Sequence, residues 1–283
     1  MYKSDFTNYL YSTNAEGSGK ATSYIRALDL VSEMLSVESY EFPDCINIWL
    51  IESVDRIHEL QDFVIREAKK GKSSPWVSDS IPVSYLRDGF CSAALSSYQE
   101  FIIEHQHTKA QLETFESHTG DESELAPKLE RKLNYPKWLL EGLEPKEGRD
   151  VVRAVKTRLD QRAFSNIVFK NYNSTCCITG LDISSVNRAS HIIGWADPQG
   201  KKIRLEPRNG LCLSATYDAA FDKHLISLDD DYRIILSKEI KDHYSSQSVQ
   251  AYFQSKEGDE ITLPHSYLPK KSYLQRHREK GVF

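Results

Sequence analysis

The stretch from Arg188 to Leu228 constrains the fold of this chain most, because short apolar runs alternate in it with loop signals. Ala189–Ile193 has the length of a short strand, and Thr216–Lys223 that of a short helix. Such a unit is too small to bury a core by itself. We therefore expect a long helix predicted over Asp150–Lys170 and the apolar segment Tyr232–Leu236 to pack against it.

Turn signals divide this stretch. The segment Trp195–Lys202 is predicted to be a loop because it contains Pro198 and Gly200. The pair Asn209-Gly210, just before an apolar run, indicates a turn. Upstream, Cys176–Gly180 is predicted to be a short strand that leads into a turn. The predicted order is therefore strand, loop, strand and helix.

Apolar residues at helical spacing dominate the first part of the chain and predict a helical bundle whose core they form. Ser4 is expected to cap a short first helix that ends near Leu10, and Gly71 to end a later one. The segment Asn47–Ile51 fits either a strand or the start of a helix. The stripe residues are Ala21, Tyr24, Ile25, Leu28, Val31 and Leu35, then Ile57, Leu60, Val64 and Ala68, then Phe90, Ala94, Tyr98, Phe101 and Ile102.

The charge pattern changes between the two halves of the chain. Gln111–Ala126 contains no Lys or Arg, and we interpret this acidic segment as a hinge or loop between domains. The helix predicted over Asp150–Lys170 is basic, and Arg153 and Lys156 are spaced to share the face opposite its apolar stripe. A charged helix face is often simply solvated. Because this one lies directly before the candidate site, phosphate binding is the alternative.

Four polar side chains of the central stretch have the chemistry that phosphodiester hydrolysis requires. His191 can take a proton from water near neutral pH. Asn209 can orient the loop and the imidazole. Asp218 offers a hard oxygen ligand to Mg²⁺ or Mn²⁺. Asp222 either joins it as a metal ligand or is a structural residue that caps a helix or forms an ion pair.

Three consecutive sequence blocks resemble the HNH endonuclease family, in the branch found in bacterial restriction and anti-phage defence nucleases. They read A-S-H-I-I-G-W, R-L-E-P-R-N-G-L-C-L-S and Y-D-A-A-F-D-K-H-L-I-S-L, with R-L-D-Q-R-A-F-S-N-I-V and C-C-I-T-G upstream. The C-terminal Y-L-P-K-K-S-Y-L-Q-R-H-R-E-K-G-V-F fits the same branch, so the resemblance covers roughly residues 149–283. It implies a ββα-metal fold, His191 as general base, Asn209 as the middle motif residue and a divalent metal, Mg²⁺ or Mn²⁺, as cofactor.

The sequence departs from the family pattern at two positions. The third motif position, often His, is Asp218, which is still a competent metal ligand. The position before the base often supplies a second ligand, and here it is Ser190. Water, phosphate oxygens or Asp222 would then have to complete the metal shell.

The cations around the site matter more than the total charge of −5, which does not favour bulk attraction to nucleic acid. Trp195 is interpreted as a packing residue, and His224 as a left-handed residue at the end of the short helix. His277 and Arg278 fit either a position near DNA or a packed terminal helix. The predicted DNA contacts are Arg153, Lys156, Lys201, Lys202, Arg204 and Arg208.

Taken together, the sequence predicts an α+β chain with a mainly helical N-terminal domain and a C-terminal ββα-metal nuclease domain. The expected boundaries are 1–108 for a helical positioning or regulatory domain, 109–148 for a linker and connector helix, and 149–283 for the nuclease domain. The resemblance implies a metal-dependent endonuclease that hydrolyses DNA phosphodiester bonds, nicks one strand per active site and serves in restriction or anti-phage defence. The alternative is a non-catalytic DNA-binding subunit whose site has degenerated at Ser190.

Partners and compartment follow from the same reasoning. DNA is the expected partner, with activating defence-system proteins and a second copy of the chain as further candidates. No apolar run approaches the ~18 residues that a membrane span needs, and the N-terminus has no signal-peptide core. The five cysteines include no C-x-x-C pair, so no zinc site or disulfide framework is indicated. A cytoplasmic location is predicted.

Overall fold

The computed structural model describes residues 2–15, 17–77, 81–121, 124–130 and 147–283, with the side chains of residues 130, 147–156 and 158 outside this description. The described chain divides into two compact units, one within Met1–Gln106 and the other within His107–Phe283. It is mostly helical, with two small two-stranded sheets near the C-terminal end. None of the described helices is long and apolar enough to cross a membrane.

The first unit is helical, as its apolar stripes predict, and the stripe residues form its core or pack against it, except Phe90, which is exposed. Its helices are α1 (Lys3–Thr13), α2 (Lys20–Val37), α3 (Val54–Lys70), α4 (Val83–Arg87) and the first part of α5 (Phe90–Ser117). Gly71 ends α3 with a φ of 57°, as predicted.

Two local predictions in this unit need correction or completion. Ser4 does not cap the first helix, because α1 already begins at Lys3 and its cap position is Tyr2, whose side chain makes no capping hydrogen bond. The segment Asn47–Ile51, predicted to be either a strand or the start of a helix, contains a short 3-10 turn over Ile48–Leu50. The Asn47 side chain accepts a hydrogen bond from the Trp49 N–H there, which favours a helical turn over a strand.

The second unit contains the end of α5 and all described strands. Its strands are β1 (Asn187–His191), β2 (Gly210–Ser214), β3 (Ile226–Leu228) and β4 (Ile234–Leu236). Its helices are α6 (Leu125–Glu130), α7 (Glu147–Asn171), α8 (Ala215–Asp222), α9 (Lys238–Asp242), α10 (Gln247–Tyr252) and α11 (Lys271–Arg278). β1 and β2 are antiparallel, with His191 opposite Gly210, and β3 and β4 form a second antiparallel pair.

The segment predicted as a hinge or loop from Gln111 onward is helical at its start. α5 continues to Ser117 because its last turns carry buried side chains. Phe115 packs against Tyr267 with ring centroids 5.1 Å apart, and the Gln111 side chain donates to a backbone carbonyl of α6. The lack of basic residues was therefore a poor loop signal, because burial of one face decides the helix.

Cys176–Gly180 forms a turn and not the predicted strand. The Cys176 N–H donates to the Leu181 carbonyl at 2.8 Å, which closes the chain back on itself. The Cys177 N–H donates to Cys212 in β2 at 2.8 Å, so the turn is fixed to the hairpin by a single ladder-like bond. All five cysteines are free and buried, in line with a packing role.

The turn predicted at Asn209-Gly210 is a 3-10 turn over Pro207–Asn209, and Gly210 itself lies outside it. Its φ of −125° and ψ of 144° are extended, and it is the first residue of β2. A Cβ atom there would lie 2.4 Å from Val168 Cγ2 and 3.0 Å from Phe164 Cζ, both on α7. The glycine is required because α7 lies directly against the hairpin at this position.

Candidate active site

His191 lies at the end of β1, face to face with an aromatic ring of α7. Its imidazole stacks on Phe164 with centroids 3.5 Å apart and an interplanar angle of 14°. Burial lowers the pKa of His191 to about 4, and a hydrogen bond to the Arg204 carbonyl opposes this shift without cancelling it. The imidazole is therefore neutral near neutral pH, which a general base requires.

The two ring nitrogens of His191 have different surroundings. Nε2 lies 3.1 Å from the Arg204 carbonyl oxygen and 3.0 Å from the indole Nε1 of Trp195. For Nδ1, no hydrogen-bond partner is found among the residues that the structure describes. Nδ1 is thus the nitrogen left for a water molecule, and the Arg204 carbonyl can hold an Nε2–H in place.

Asn209 is fully buried and binds the backbone just beyond His191. Its Oδ1 accepts from the Ile193 N–H at 2.8 Å, and its Nδ2 donates to the Ile193 carbonyl at 3.1 Å. Its own carbonyl accepts from the Ile192 N–H at 2.8 Å. Asn209 therefore fastens the loop after β1, as expected, while the imidazole is oriented by Arg204 and not by the Asn209 amide.

An open cleft of about 570 Å³ lies beside the hairpin. Its lining includes His191, Trp195, Asp218 and Asp222. The structure thus brings three of the four predicted chemical groups to one cavity. Asn209 is not part of the lining, and its buried side chain holds the backbone at Ile193.

Asp218 and Asp222 lie one turn apart on α8, so they share one face of that helix. Loss of hydration raises the pKa of Asp222, and the neighbouring charge of Asp218 raises it further. Two carboxylates that repel each other in a cleft form a favourable place for a cation.

Among the described residues that line the cleft, Asp218 and Asp222 are the two carboxylates that could bind a divalent metal. Within the described parts of the chain, no cluster of three or more His, Cys, Asp or Glu side chains is arranged to hold a metal. Ser190 adds a hydroxyl to the lining, and its Oγ is buried without a hydrogen-bond partner among the described residues. Mg²⁺ is commonly held by one or two carboxylates with water and phosphate oxygens, so the donor set suits a cation that keeps several waters.

Four of the predicted DNA-contacting cations have described side chains, and these four separate into two groups. Arg204 Nε lies 2.7 Å from Oδ2 of the buried Asp160, and Arg208 Nε lies 2.8 Å from Oε1 of the buried Glu206. Both guanidinium groups thus take part in the fold. Lys201 and Lys202 are exposed on a 3-10 turn. The backbones of Arg153 and Lys156 lie in α7, but their side chains fall outside the described residues.

Arg188 and Trp195 line the cleft although sequence reasoning gave them no role there. Arg188 is an exposed residue of β1, and no carboxylate partner for it appears within the described ranges. Trp195 follows His191 by one helical turn's spacing, yet it lies in a loop, so periodicity could not reveal their contact. The one sequence feature that points to Arg188 is that it is a cation three residues before His191.

The loop from Trp195 to Lys202 is held from two sides. A Cβ atom on Gly200 would lie 2.1 Å from the Gly194 carbonyl oxygen, so the loop closes tightly on itself. Asp197 forms ion pairs with Arg276 and Lys280, each at 3.0 Å. The Gln199 N–H, followed by these two cations, lowers the pKa of Asp197 to about 2.

His277 belongs to a packed terminal helix, one of the two alternatives. It is 2% exposed and stacks on Phe221 of α8 with centroids 3.8 Å apart. Its ring nitrogens contact His224 at 3.1 Å and Ser227 at 2.9 Å. His224 has the predicted left-handed conformation, with a φ of 54°. Neither histidine is in the lining of the cleft.

One of the comparisons with known proteins found a family match. Residues 176–229 match the HNH_2 family model, described as HNH endonuclease, and this segment spans β1, β2 and α8. The comparison with curated proteins found no match. HNH nucleases generally use divalent metals, and a nuclease domain implies DNA as its substrate. The HNH resemblance is thereby confirmed for this segment, and over the rest of residues 149–283 it stays a prediction.

Proposed function

We propose that this protein is a metal-dependent endonuclease that hydrolyses DNA phosphodiester bonds. The observation that carries the proposal is the environment of His191: Nε2 faces a backbone carbonyl, Nδ1 has no described partner, and the ring lines a cleft with two carboxylates. The HNH match over this segment supports it. The arrangement of β1, β2 and α8 is proposed to be the ββα-metal unit of that family.

His191 is proposed as the general base. Its Nδ1 takes a proton from water, and the resulting hydroxide attacks phosphorus while the bond to the 3′ oxygen breaks and that oxygen takes a proton from solvent. The products would carry a 5′-phosphate and a 3′-hydroxyl. The Arg204 carbonyl holds the Nε2–H and stabilises the imidazolium that forms, while Asn209 keeps the following loop in position.

Asp218 and Asp222 are proposed to hold Mg²⁺ or Mn²⁺. The metal would stabilise the negative charge on the reacting phosphate and on the leaving oxygen. The raised pKa of Asp222 supports this assignment, because a cation between the carboxylates relieves their repulsion. The Ser190 hydroxyl can donate to or accept from water in the cleft, and it replaces the charged residue often found at this position.

DNA contacts are proposed at the exposed Lys201 and Lys202 and at Arg188 in the cleft lining. Arg204 and Arg208 contribute indirectly, because their guanidinium groups pair with buried carboxylates. Contacts by Arg153 and Lys156 stay predictions, as do the domain boundaries, a role in restriction or defence, and activating or dimeric partners. One site cuts one strand, so a monomer is proposed to nick.

The test is plasmid nicking with the full chain. Supercoiled plasmid is incubated with protein and Mg²⁺ or Mn²⁺, and open-circle product is measured for wild type, His191→Ala and His243→Ala. His243 is exposed and absent from the cleft lining, so its variant is the matched control. Nicking by wild type and by the control, with a loss of about 10²–10⁴-fold in His191→Ala, is expected. Equal nicking by all three proteins, or by none in either metal, contradicts the proposal.

Ser190 favours one second candidate, a DNA-binding subunit without catalysis. A hydroxyl cannot replace the charge of a carboxylate ligand, so metal affinity would be weak. Gel-shift and nicking assays on one protein sample separate the candidates. Binding of duplex DNA without nicking in Mg²⁺ or Mn²⁺ supports the subunit, and nicking that needs His191 excludes it.

A further inference from the structure

The Nε2 atom of His191 has two neighbours with opposite requirements. An indole N–H can only donate, so the Trp195 contact at 3.0 Å needs an unprotonated Nε2. A carbonyl oxygen can only accept, so the Arg204 contact at 3.1 Å needs a protonated Nε2. A neutral imidazole nitrogen cannot satisfy both at once.

The two contacts therefore correspond to two tautomers with different reactivity. When Nε2 accepts from Trp195, the proton sits on Nδ1, and Nδ1 has no lone pair for a water proton. When Nε2–H donates to Arg204, Nδ1 is free to act as a base. The exchange is neutral overall, because Nδ1 gives one proton to solvent and Nε2 takes one from it.

We propose that Trp195 is a positioning residue that holds His191 in the inactive tautomer until DNA occupies the cleft. This inference rests on the proposed function, because it assigns His191 the role of base. Trp195 lines the same cleft and is partly exposed, so DNA entering there meets the indole directly. DNA that draws the indole away leaves the Arg204 carbonyl as the one described partner of Nε2, which selects the active tautomer.

The surroundings make the Arg204 carbonyl a fixed acceptor and Trp195 the movable donor. Arg204 is held through its own side chain by the buried Asp160, at 2.7 Å. The Phe164 stack at 3.5 Å keeps the imidazole plane in place in both tautomers. The Trp195 indole is half-buried at the cleft, so rotation of its own side chain can take it away from Nε2 without movement of the loop that Asp197 anchors.

Nitrogen-15 NMR of histidine-labelled full-length protein tests this directly, because the two tautomers give different shifts at Nδ1 and Nε2. The free wild-type protein at pH 7 is expected to show a protonated Nδ1 at His191. Trp195→Phe removes the N–H and is expected to move the proton to Nε2. A second variant carries 3-benzothienylalanine at position 195, which keeps the indole shape without its N–H, so it separates loss of the donor from loss of packing.

The signal of His277 is the internal control, since its ring nitrogens contact His224, Ser227 and the Phe221 carbonyl and not Trp195. Adding a non-hydrolysable DNA duplex with Ca²⁺ to wild type is expected to shift His191 to the Nε2–H form. Both variants are expected to nick about two- to tenfold faster than wild type at low DNA concentration, the effect of one net hydrogen bond.

A free wild-type protein that already carries the proton on Nε2 overturns the inference, and so does a tautomer that neither variant changes. These outcomes are read without any cleavage. A tautomer that shifts as expected in a protein that never nicks would instead contradict the proposed nuclease function.

Discussion

Two neighbouring residues, Phe164 and Gly210, set the position of the His191 imidazole. Phe164 covers one face of its ring at 3.5 Å, and across the hairpin its partner is Gly210, which has no side chain. The same Gly210 lets α7 approach, because Val168 and Phe164 fill the volume where a Cβ atom would be. The position of the proposed base therefore depends on a residue that has no chemistry of its own.

Gly210→Ala is expected to destabilise the protein by about 1–3 kcal/mol, the usual cost of forcing an extra methyl group into a packed interior. The added Cβ would lie 2.4 Å from Val168 Cγ2, so α7 must move and Phe164 with it. Urea denaturation measures the loss. Gly194→Ala is the control, since nothing lies within 4 Å of its Cβ position. Equal unfolding free energies for both variants would contradict this account of Gly210.

The pH dependence of nicking should reflect the buried state of His191. Burial lowers its pKa to about 4, so the base stays neutral and competent well below the ordinary range near pH 6.5. The single-turnover nicking rate is therefore expected to keep its plateau from pH 8 down to about 5 and to fall only as pH approaches about 4. His243→Ala should give the same profile as wild type. A half-maximal rate near pH 6.5 would show that the base is solvated.

Hydrophobic periodicity and composition predicted the helices well, but they predicted the contacts between secondary-structure elements poorly. The apolar residues of α2 and of α3 each recur at helical spacing within one continuous segment, so the sequence alone shows the pattern. The turn at Cys176–Gly180, predicted as a strand, and the extended conformation of Gly210 depend on residues far along the chain. One is fixed by a bond to Cys212 and the other by α7. No local pattern encodes such contacts, so the sequence grouped His191 and Asp218 by their chemistry and by the family resemblance, and not by a predicted contact.

The packing of α11 on α8 also depends on distant residues. His277 is buried between Phe221, His224 and Ser227, and the charges nearest to it are Arg278 and Lys280. Burial lowers its pKa to about 3, with further lowering by His224 and by the two cations, while the Phe221 carbonyl opposes the shift. A neutral His277 is therefore part of the contact that holds the C-terminal helix.

This contact should make the protein sensitive to acid. The unfolded chain takes a proton at His277 near pH 6.5, whereas the folded protein takes it only near pH 3. Between these values the unfolded state binds more protons at His277, so this histidine by itself lowers stability by up to about 1.4 kcal/mol for each unit by which the pH drops. Unfolding midpoints in urea from pH 7 to 4 measure the slope. His277→Gln should remove this contribution, and the exposed His243→Gln should leave it unchanged. An identical slope in all three proteins would rule out His277 as the group responsible.

For the whole molecule, the HNH match covers residues 176–229 of a 283-residue chain. The helical unit within Met1–Gln106 lies outside the match. Its proposed role is to position or regulate the nuclease. The net charge of −5 means that attraction to DNA must come from local cations near the cleft, because the protein as a whole repels a polyanion.

The salt dependence of DNA binding identifies those cations. Each lysine that neutralises a phosphate releases counterions and contributes about 0.9 to the slope of log K against log salt. Lys201→Ala and Lys202→Ala are each expected to reduce the slope by about that amount and to weaken binding alike on all sequences, because contacts to phosphate carry no base information. Lys238→Ala is the matched control, since Lys238 is exposed at the start of α9 and absent from the cleft lining. Fluorescence anisotropy of a labelled duplex between 50 and 200 mM salt, roughly the range over which such contacts dominate, measures the slopes. Equal slopes for Lys238→Ala and the two other variants would move the DNA-binding surface away from the 3-10 turn that precedes Arg204.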